Sequence, residues 1–341
     1  MAPALSSVRS EVVVVEAPAR LHLGFVDPSG GSGRRFGSIG LTLDGMRTRV
    51  RAERAERVEA VGPQSGRVLR ALDLLREATG VRPGVRITVE EAIPEHAGLG
   101  SGTQLTLAVG AAFARVFALA LAPRDIAGIL DRGARSGIGI GAFERGGFLV
   151  DGGRGANHAP PPITSRLEFP DAWRVVLILH PAAHGLHGVA EKTAFRSLAP
   201  FPEARVAHLC RLVMMSLLPA LAESDLFEFG RAVNELQRIV GDHFAPAQGG
   251  RFSSSTVSAA LSRLEAEGIT CVGQSSWGPT GFAVVESEAI AWKAVARLEK
   301  QFAGSGLEFQ VCPGRNRGGE IELQPARAAG ITGSHRTGSQ T

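Results

Sequence analysis

The feature that most constrains this chain is a glycine-rich loop that runs directly into a long apolar segment. From Pro94 the sequence reads PEHAGLGSGTQLTLAVGAAFARVF, with Gly98, Gly100 and Gly102 inside five residues. The preceding segment, GVRITVEEAIP, is typical of a strand, so the predicted order is strand, glycine loop, helix. Free N–H groups at a helix start bind phosphate, and glycines let the anion approach closely. From the residues alone, a phosphate site and a plain glycine turn are equally open.

The spacing of these glycines excludes two common nucleotide-binding loops. No Lys followed by Ser or Thr comes after the glycines, as a Walker loop requires. The GxGxG spacing also lacks the extra residue and the acidic partner of a dinucleotide-binding fold. Any phosphate bound here must therefore be held by a different kind of loop.

Strand and helix patterns alternate along the whole chain, which predicts an α+β protein. The 341 residues, with 44% hydrophobic and 21% charged, suffice for two folded domains. The proline-rich segment 157–171 (NHAPPPITSRLEFPD) is the best boundary between them. We predict domains at 1–160 and 161–325, and a disordered small, polar tail at 326–341.

Charge and composition argue against several classes of partner. The net charge is only +4, and the basic residues are interleaved with acids, so no nucleic-acid face is predicted. The longest apolar stretch, 105–121, is broken by Arg115, and charges at Arg9 and Glu11 do not suit a signal peptide. We expect a cytoplasmic protein without a membrane span. Isolated Cys210, Cys271 and Cys312 indicate neither a disulfide framework nor a zinc site.

Three motifs resemble those of the GHMP kinase superfamily and occur in the expected order. PEHAGLGSGTQ is similar to the signature P-x-x-x-G-L-G-S-S, with Gly102 in place of the second hydroxyl residue. The segments 17–27 (APARLHLGFVD) and 272–285 (VGQSSWGPTGFAVV) resemble the first and third motifs of that superfamily. The resemblance implies a two-domain fold with an N-terminal mixed sheet with helices and a C-terminal α/β sandwich.

One position departs from the kinase pattern. Kinases of this superfamily carry an aspartate as catalytic base, whereas RSGIGIGAFERGG places Gly139 there. Glycine neither accepts a proton nor holds magnesium, so phosphoryl transfer to an alcohol loses its base. Two alternatives stay open: a kinase that uses Asp131, Glu144 or Asp151 instead, and a non-catalytic protein that binds a sugar phosphate.

Within the superfamily, ARLHLGFVDPSG, GLGSGTQ, RSGIGIGAFERGGFLVDGG and GQSSWGPTGF resemble the β-ribofuranosylaminobenzene 5′-phosphate synthases. That resemblance implies a glycosyltransferase of tetrahydromethanopterin biosynthesis and one-carbon metabolism. Phosphoribosyl pyrophosphate and 4-aminobenzoate would give the C-riboside phosphate, carbon dioxide and pyrophosphate. It also implies Mg²⁺ with the pyrophosphate and no need for PLP or NAD. 4-Hydroxybenzoate remains an open alternative as the acceptor.

Three residues of the first motif are the predicted catalytic groups. His22 is expected to move a proton at the acceptor's amino group, and a buried structural histidine is the equal alternative. Arg20 is predicted to pair with the benzoate carboxylate or a phosphate, against a surface ion pair. Asp27 is predicted to contact ribose hydroxyls or magnesium, or else to form a turn before Pro28.

The remaining predicted site residues are expected to bind substrate, and the metal ligands stay unassigned. His184 and His187 have metal-pair spacing, but an active-site loop is favoured over zinc, and Lys192 is a candidate phosphate ligand. Trp277 is expected to stack on the aromatic substrate or to pack in the core. The apolar run 212–221 (LVMMSLLPAL) is read as core or as the seam of a homodimer. The full substrate-binding set is Gly98, Leu99, Gly100, Ser101, Gly102, Thr103, Gln104, Arg135, Ser136, Gly137, His184, His187, Lys192, Gln274, Ser275, Ser276 and Trp277.

Overall fold

The computed structural model describes residues 11–31, 33–156, 159–183, 193 and 197–325, which form two sheets and their helices. The strands are β1 (Glu11–Asp27), β2 (Phe36–Ala55), β3 (Glu59–Val61), β4 (Gly84–Glu91), β5 (Phe148–Asp151), β6 (Ile163–Leu167), β7 (Arg174–Leu179), β8 (Cys271–Gln274), β9 (Gly281–Val285), β10 (Glu308–Pro313) and β11 (Glu320–Pro325). The first sheet has the order β11-β1-β2-β4-β3, with β5 pairing β2 and β6. The second has the order β10-β7-β9-β8.

The helices lie against these sheets in an arrangement that confirms the α+β prediction. They are α1 (Ser65–Thr79), α2 (Ser101–Val116), α3 (Pro123–Ile129), α4 (Ile138–Glu144), α5 (Glu203–Leu212), α6 (Leu218–Ala222), α7 (Leu226–Gln248), α8 (Ser255–Ala266) and α9 (Glu288–Gln301). A π-helical turn, Val213–Leu217, joins α5 to α6. Pro123 stands in the first turn of α3, where its missing N–H costs nothing.

The long antiparallel pair of β1 and β2 is the spine of the first sheet. The pairing runs from Val13–Ala52 to Asp27–Phe36 and is interrupted by two irregularities, near Ala19 and Leu23. The valine run at the start of β1 is buried, as expected for β-branched residues in a central strand. The second half of β1 carries Arg20 and His22, so the bulges set the direction of the predicted catalytic side chains.

Three apolar layers hold these elements together. One face of the first sheet packs on α1, α2 and α3 through side chains such as Leu72 and Phe113. Its other face meets α7, whose Phe229 and Leu236 share a core with both sheets. The outer face of the second sheet packs on α8 and α9. α7 thus lies between the two sheets and joins them.

The predicted domain limits remain a prediction, because two strands beyond residue 160 pair with the first sheet. β6 hydrogen-bonds to β5, and β11 hydrogen-bonds along the first six residues of β1. The chain therefore returns to the first sheet after completing the second. The predicted tail, 326–341, lies outside the described residues.

The apolar run 212–221 is partly core and partly surface. Leu212, Leu217 and Leu221 are buried, whereas Met214 and Met215 are 65% and 68% exposed. The helical segment Glu203–Ala222 is long and apolar enough to cross a membrane, and it is the one such helix among the described residues. One helix of this kind is weak evidence for a membrane span, since core helices of globular domains pass the same test.

Candidate active site

Two glycine-rich loops meet over the second half of β1. The Ser275 hydroxyl donates to the carbonyl of Gly98 at 2.7 Å and accepts from the N–H of His22 at 3.0 Å. The Ser276 N–H donates to the His22 carbonyl at 3.0 Å. These bonds join the three motifs, although His22 and Ser275 lie 253 positions apart in sequence.

The start of α2 has the geometry of an anion site. Gly100 precedes the helix with φ 88° and provides no side-chain cap. The N–H groups of Thr103 and Gln104 both donate to the Gly100 carbonyl at 3.0 Å. The N–H groups of Ser101 and Gly102 come before these first intrahelical bonds, at the positive end of the helix dipole. The predicted strand–loop–helix arrangement is therefore present.

A cavity of about 470 Å³ opens in front of this helix start. Among the residues that line it are four arginines, Arg20, Arg67, Arg132 and Arg135, and one carboxylate, that of Asp131. Its walls come from β1, α1, the loop before α2, the loop 131–136, Gly139 and the loop 276–278. A cavity with this charge selects anions, and guanidinium groups bind phosphate through paired hydrogen bonds.

His22 is buried in the wall of this cavity, with 3% of its surface exposed. Neither ring nitrogen has a hydrogen-bond partner among the described residues. Burial, and then the charges of Arg20 and Arg135, lower the pKa of His22 to about 3. The imidazole is therefore neutral at physiological pH, and one of its nitrogens is available to accept a proton.

A smaller cavity of about 30 Å³ adjoins the first and is lined by the rings of Phe25, Phe244 and Trp277 together with polar side chains such as Gln237 and Arg251. The two cavities share His22, Phe25, Ser276 and Trp277. The rings of Phe244 and Trp277 lie 4.6 Å apart between centroids, and His22 meets Phe25 edge-on at the same distance. His22 thus lies between an arginine-lined space and an aromatic one.

The position of the missing kinase aspartate is occupied by close packing. A Cβ built on Gly139 would lie 2.9 Å from Thr103 Cγ2, and the Gln104 amide donates to the Gly139 carbonyl at 2.8 Å. Helix α4 therefore lies directly against the first turn of α2. No side chain of any kind fits there without moving Thr103.

Of the three carboxylates considered as substitute bases, only Asp131 lines the cavity. Asp151 is buried and accepts hydrogen bonds from Ser38, Ser136 and the N–H groups of Gly137 and Gly153. Burial raises the pKa of the carboxyls of Asp151 and Glu144. Asp151 thus fixes the loop beside the cavity and is not free to abstract a substrate proton.

The structure brings most of the predicted site residues into the cavity wall. Those that line it are Arg20, His22, Gly98, Gly100, Ser101, Gly102, Thr103, Arg135, Ser136, Ser276 and Trp277. His184, His187 and Lys192 lie outside the described residues, so their predicted role stays a prediction.

The other predicted residues support the wall from behind. Asp27 accepts hydrogen bonds from the Ser29 hydroxyl and from the N–H groups of Ser29 and Gly30. These bonds are those of a turn, the alternative to the predicted contact with ribose or magnesium. Leu99 is core, and Ser275 bridges the two loops. Gln274 is held by Ser253 and Gln237, and it borders only the smaller cavity. The Gln104 amide donates a hydrogen bond to the Gly139 carbonyl, and the Gly137 N–H donates one to the Asp151 carboxylate.

Sequence reasoning missed Arg67, His96 and Arg132, which line the cavity. Arg67 lies on a polar turn of α1 among other arginines, with no local mark of function. His96 lies inside the glycine loop and has a left-handed backbone conformation, with φ of 60°. That conformation is not evident from the sequence. The arginine cluster arises because distant segments converge.

Comparisons with known proteins give the same assignment of fold. Residues 66–147 match the GHMP kinases N terminal domain, and residues 217–304 match the GHMP kinases C terminal domain. A homoserine kinase from Cytophaga hutchinsonii superposes with a TM-score of 0.66 at 18% identity, covering 94% of this chain and 100% of that one. The chain has the fold of the GHMP kinase superfamily.

Two relatives identify the family within that superfamily to which the chain belongs. It is 35% identical to a β-ribofuranosylphenol 5′-phosphate synthase of Archaeoglobus fulgidus, covering 91% of this chain and 99% of the relative. It is 29% identical to the synthase of the same name from Methanothermobacter thermautotrophicus, covering 90% and 97%. The chain belongs to the β-ribofuranosylphenol 5′-phosphate synthase family and is an enzyme of the transferase type. The family resemblance seen in the motifs is confirmed.

Proposed function

We propose that this enzyme condenses phosphoribosyl pyrophosphate with a para-substituted benzoate, releasing carbon dioxide and pyrophosphate. The observation that carries the proposal is the arginine-lined cavity at the start of α2, whose wall also holds a buried neutral histidine beside the rings of Phe25 and Trp277. Because the relatives are named for a phenol product, 4-hydroxybenzoate is the acceptor we favour, with 4-aminobenzoate second.

The reaction needs two changes of bonding at the same ring carbon. The bond from ribose C1 to pyrophosphate breaks, and its electron pair leaves with pyrophosphate. The ring carbon that bears the carboxylate attacks C1 with a pair of ring electrons. The bond to the carboxylate then breaks, its pair returns to the ring, and carbon dioxide departs. This restores the aromatic ring without any external electron sink.

The neutral imidazole of His22 suits the acceptor's para group. When the ring attacks, positive charge spreads to the para oxygen or nitrogen, and a hydroxyl there becomes strongly acidic. His22, uncharged and without a described partner, can accept that proton and return it when the ring becomes aromatic again. Arg20 and Arg135, near His22, offer charge for the acceptor's carboxylate.

Magnesium is proposed as a partner of the substrate's phosphates rather than as a resident of a protein cage. Among the described residues no group of three His, Cys, Asp or Glu side chains can hold a metal. The cavity wall offers the carboxylate of Asp131, and Mg²⁺ is commonly bound by one or two carboxylates together with substrate phosphates. A bound ion would neutralise part of the pyrophosphate charge.

The finer context is part of the same proposal. We place the enzyme in the cytoplasm, in the pathway to tetrahydromethanopterin. We also propose a homodimer, with the exposed Met214 and Met215 of the π-helical turn as part of its seam. Size measurement in solution, for the wild type and for a variant with both methionines changed to Lys, tests this point.

The direct experiment is an assay of pyrophosphate release with phosphoribosyl pyrophosphate and each benzoate in turn. We expect turnover with 4-hydroxybenzoate, with 4-aminobenzoate slower or competing, and none with benzoate, which lacks a para donor. ADP formation from ATP that depends on a polyol would instead support a kinase using Asp131. Binding of phosphoribosyl pyrophosphate without turnover of any benzoate would leave a non-catalytic binding protein.

A further inference from the structure

We infer that Arg67 and Arg132 bind the leaving pyrophosphate directly, so that pyrophosphate binding does not require a metal ion. This inference rests on the proposed function. Neither residue belongs to a glycine motif, and they come from α1 and from the loop after α3. Both line the cavity in front of α2.

Arg67 lies over the start of α2. A Cβ built on Gly102 would lie 3.3 Å from Arg67 Nη1, so the guanidinium covers the second residue of the helix. Its Nη2 lies 3.1 Å from the Glu95 carboxylate, which is 41% exposed. An ion pair with an exposed carboxylate is weak, so a multiply charged anion competes with it successfully.

Arg132 lines the same cavity as Arg67, and among the residues that the structure describes its guanidinium lacks a hydrogen-bond partner at one nitrogen. Its Nε is buried and has no hydrogen-bond partner within the described residues. Burial, and then the charge of Arg67, lower the pKa of Arg132, which means that the two guanidinium groups repel each other. Two partly buried cations held together beside a helix N-terminus are stabilised when an anion lies between them.

The arginines of the cavity have different neighbours. Arg20 and Arg135 act on His22, next to the aromatic rings, and suit the acceptor. Arg67 and Arg132 act on each other, with Arg67 over the second residue of α2, and form the pyrophosphate end of the cavity. Arg20 borders both groups, since a Cβ built on Gly100 would lie 3.2 Å from its guanidinium carbon. Ribose C1 must lie between the acceptor and the pyrophosphate, because its bond to pyrophosphate breaks as its bond to the ring forms.

The pyrophosphate end carries the charge that this step creates. Breaking the bond from C1 to oxygen leaves its electron pair on pyrophosphate, whose negative charge increases. Guanidinium groups and helix N–H groups already in place stabilise that charge without rearrangement. The 5-phosphate of ribose gains no charge in the reaction. Two neighbouring arginines therefore stabilise it in the transition state less than they stabilise the leaving pyrophosphate.

The experiment is calorimetric titration of the full chain with pyrophosphate in the presence of EDTA, beside titration with ribose 5-phosphate. Wild type should bind pyrophosphate without metal. Arg67→Gln and Arg132→Gln should each weaken pyrophosphate binding about tenfold or more, as expected for loss of a charged hydrogen bond. Affinity for ribose 5-phosphate should stay within about twofold. Arg132→Lys, which keeps the charge, should lose less.

Arg70→Gln is the matched control, because Arg70 is exposed on the same helix as Arg67. Thermal unfolding of each variant identifies any loss of fold, and Arg67, which is 26% exposed, can be replaced with little risk of that. Pyrophosphate binding only with Mg²⁺, unchanged binding in both glutamine variants, or an equal loss for ribose 5-phosphate would each overturn the inference. Metal-free pyrophosphate binding without turnover of any benzoate would overturn the proposed function instead.

Discussion

Gly139 lies against Thr103 so closely that a Cβ on the glycine would be 2.9 Å from the threonine Cγ2. The kinase pattern that this segment resembles has an aspartate base at that position. The contact shows that the base has not merely been lost, because the space that a side chain would need is filled by α2. The same packing holds the first turn of α2, whose N–H groups face the cavity.

Gly139→Asp should therefore not create a kinase. We expect no ADP formation with any alcohol, and a free energy of unfolding lower by about 1–3 kcal/mol, since the added side chain overpacks the contact. A double-mutant cycle of Gly139→Ala with Thr103→Ser, which removes the clashing methyl, should recover part of that loss. Denaturant unfolding measures both effects, and strictly additive costs would contradict the contact.

Gly278→Ala should damage both the fold and the site. A Cβ at Gly278 would lie 2.5 Å from the backbone of Gly98, so the two glycine loops must separate. We expect a loss of about 1–3 kcal/mol in unfolding free energy and weaker binding of phosphoribosyl pyrophosphate. Gly128→Ala is the control: beyond its chain neighbours and the backbone of α3, no described atom lies within 4 Å of a Cβ built there, so the change should be neutral or stabilising. Equal behaviour of the two variants would refute the close approach.

Ser101→Asp should weaken substrate binding while the fold survives. A carboxylate at the first position of α2 interacts well with the helix dipole, so stability is expected to hold or rise slightly. The same charge repels an anion bound in front of the helix. Phosphoribosyl pyrophosphate affinity should fall about tenfold or more, against a small change for Ser101→Ala. Undiminished affinity in a folded Ser101→Asp would place the phosphate elsewhere.

His22 should make the wild type sensitive to acid. Its pKa falls from 6.5 to about 3 on folding, so below pH 6.5 the unfolded chain binds a proton that the folded chain does not. Stability is then lost as the pH drops, at about 1.4 kcal/mol per pH unit until the folded pKa is reached. Between pH 7 and 5 the wild type should lose about 2 kcal/mol more than His22→Gln.

Trp292→Gln serves as the control for that measurement, because Trp292 is 51% exposed and its side chain does not titrate. It should follow the wild type from pH 7 to pH 5. Identical acid dependence in wild type and His22→Gln would mean that His22 has a partner or solvent access when folded. In that case its role as a neutral proton acceptor would fall with it.

The glycine loop, the three motifs and the first strand could be predicted from the sequence because each is local. Strand, loop and helix follow one another between residues 84 and 116, and the N–H groups at Ser101 need no distant partner. The arginine pair could not be predicted this way. Arg67 and Arg132 each sit in an ordinary polar context, and only the packing of α1 beside the loop after α3 brings them together.

The same distinction explains His22 and Asp27, which stand five residues apart in one motif. His22 lies in the cavity wall because the pairing of β1 with β2 is irregular on both sides of it, between Pro18 and Arg20 and between His22 and Gly24. Asp27, at the end of the strand, turns to hold Ser29 and Gly30. A motif shows that both residues belong to one segment, but the register of the strand decides which of them meets the substrate.

Decarboxylation is expected to depend on formation of the C–C bond. Expelling carbon dioxide from the free benzoate would leave an unstabilised aryl anion. If the ring attacks ribose first, the electron pair of the bond to the carboxylate instead restores the aromatic ring as carbon dioxide departs. The decisive measurement uses 4-hydroxybenzoate labelled at the carboxyl carbon, with carbon dioxide and pyrophosphate counted together. We predict label release only when phosphoribosyl pyrophosphate is present, one carbon dioxide for each pyrophosphate. Labelled carbon dioxide released from enzyme and acceptor alone, or pyrophosphate formed without carbon dioxide, would show that the two steps are not coupled in this order.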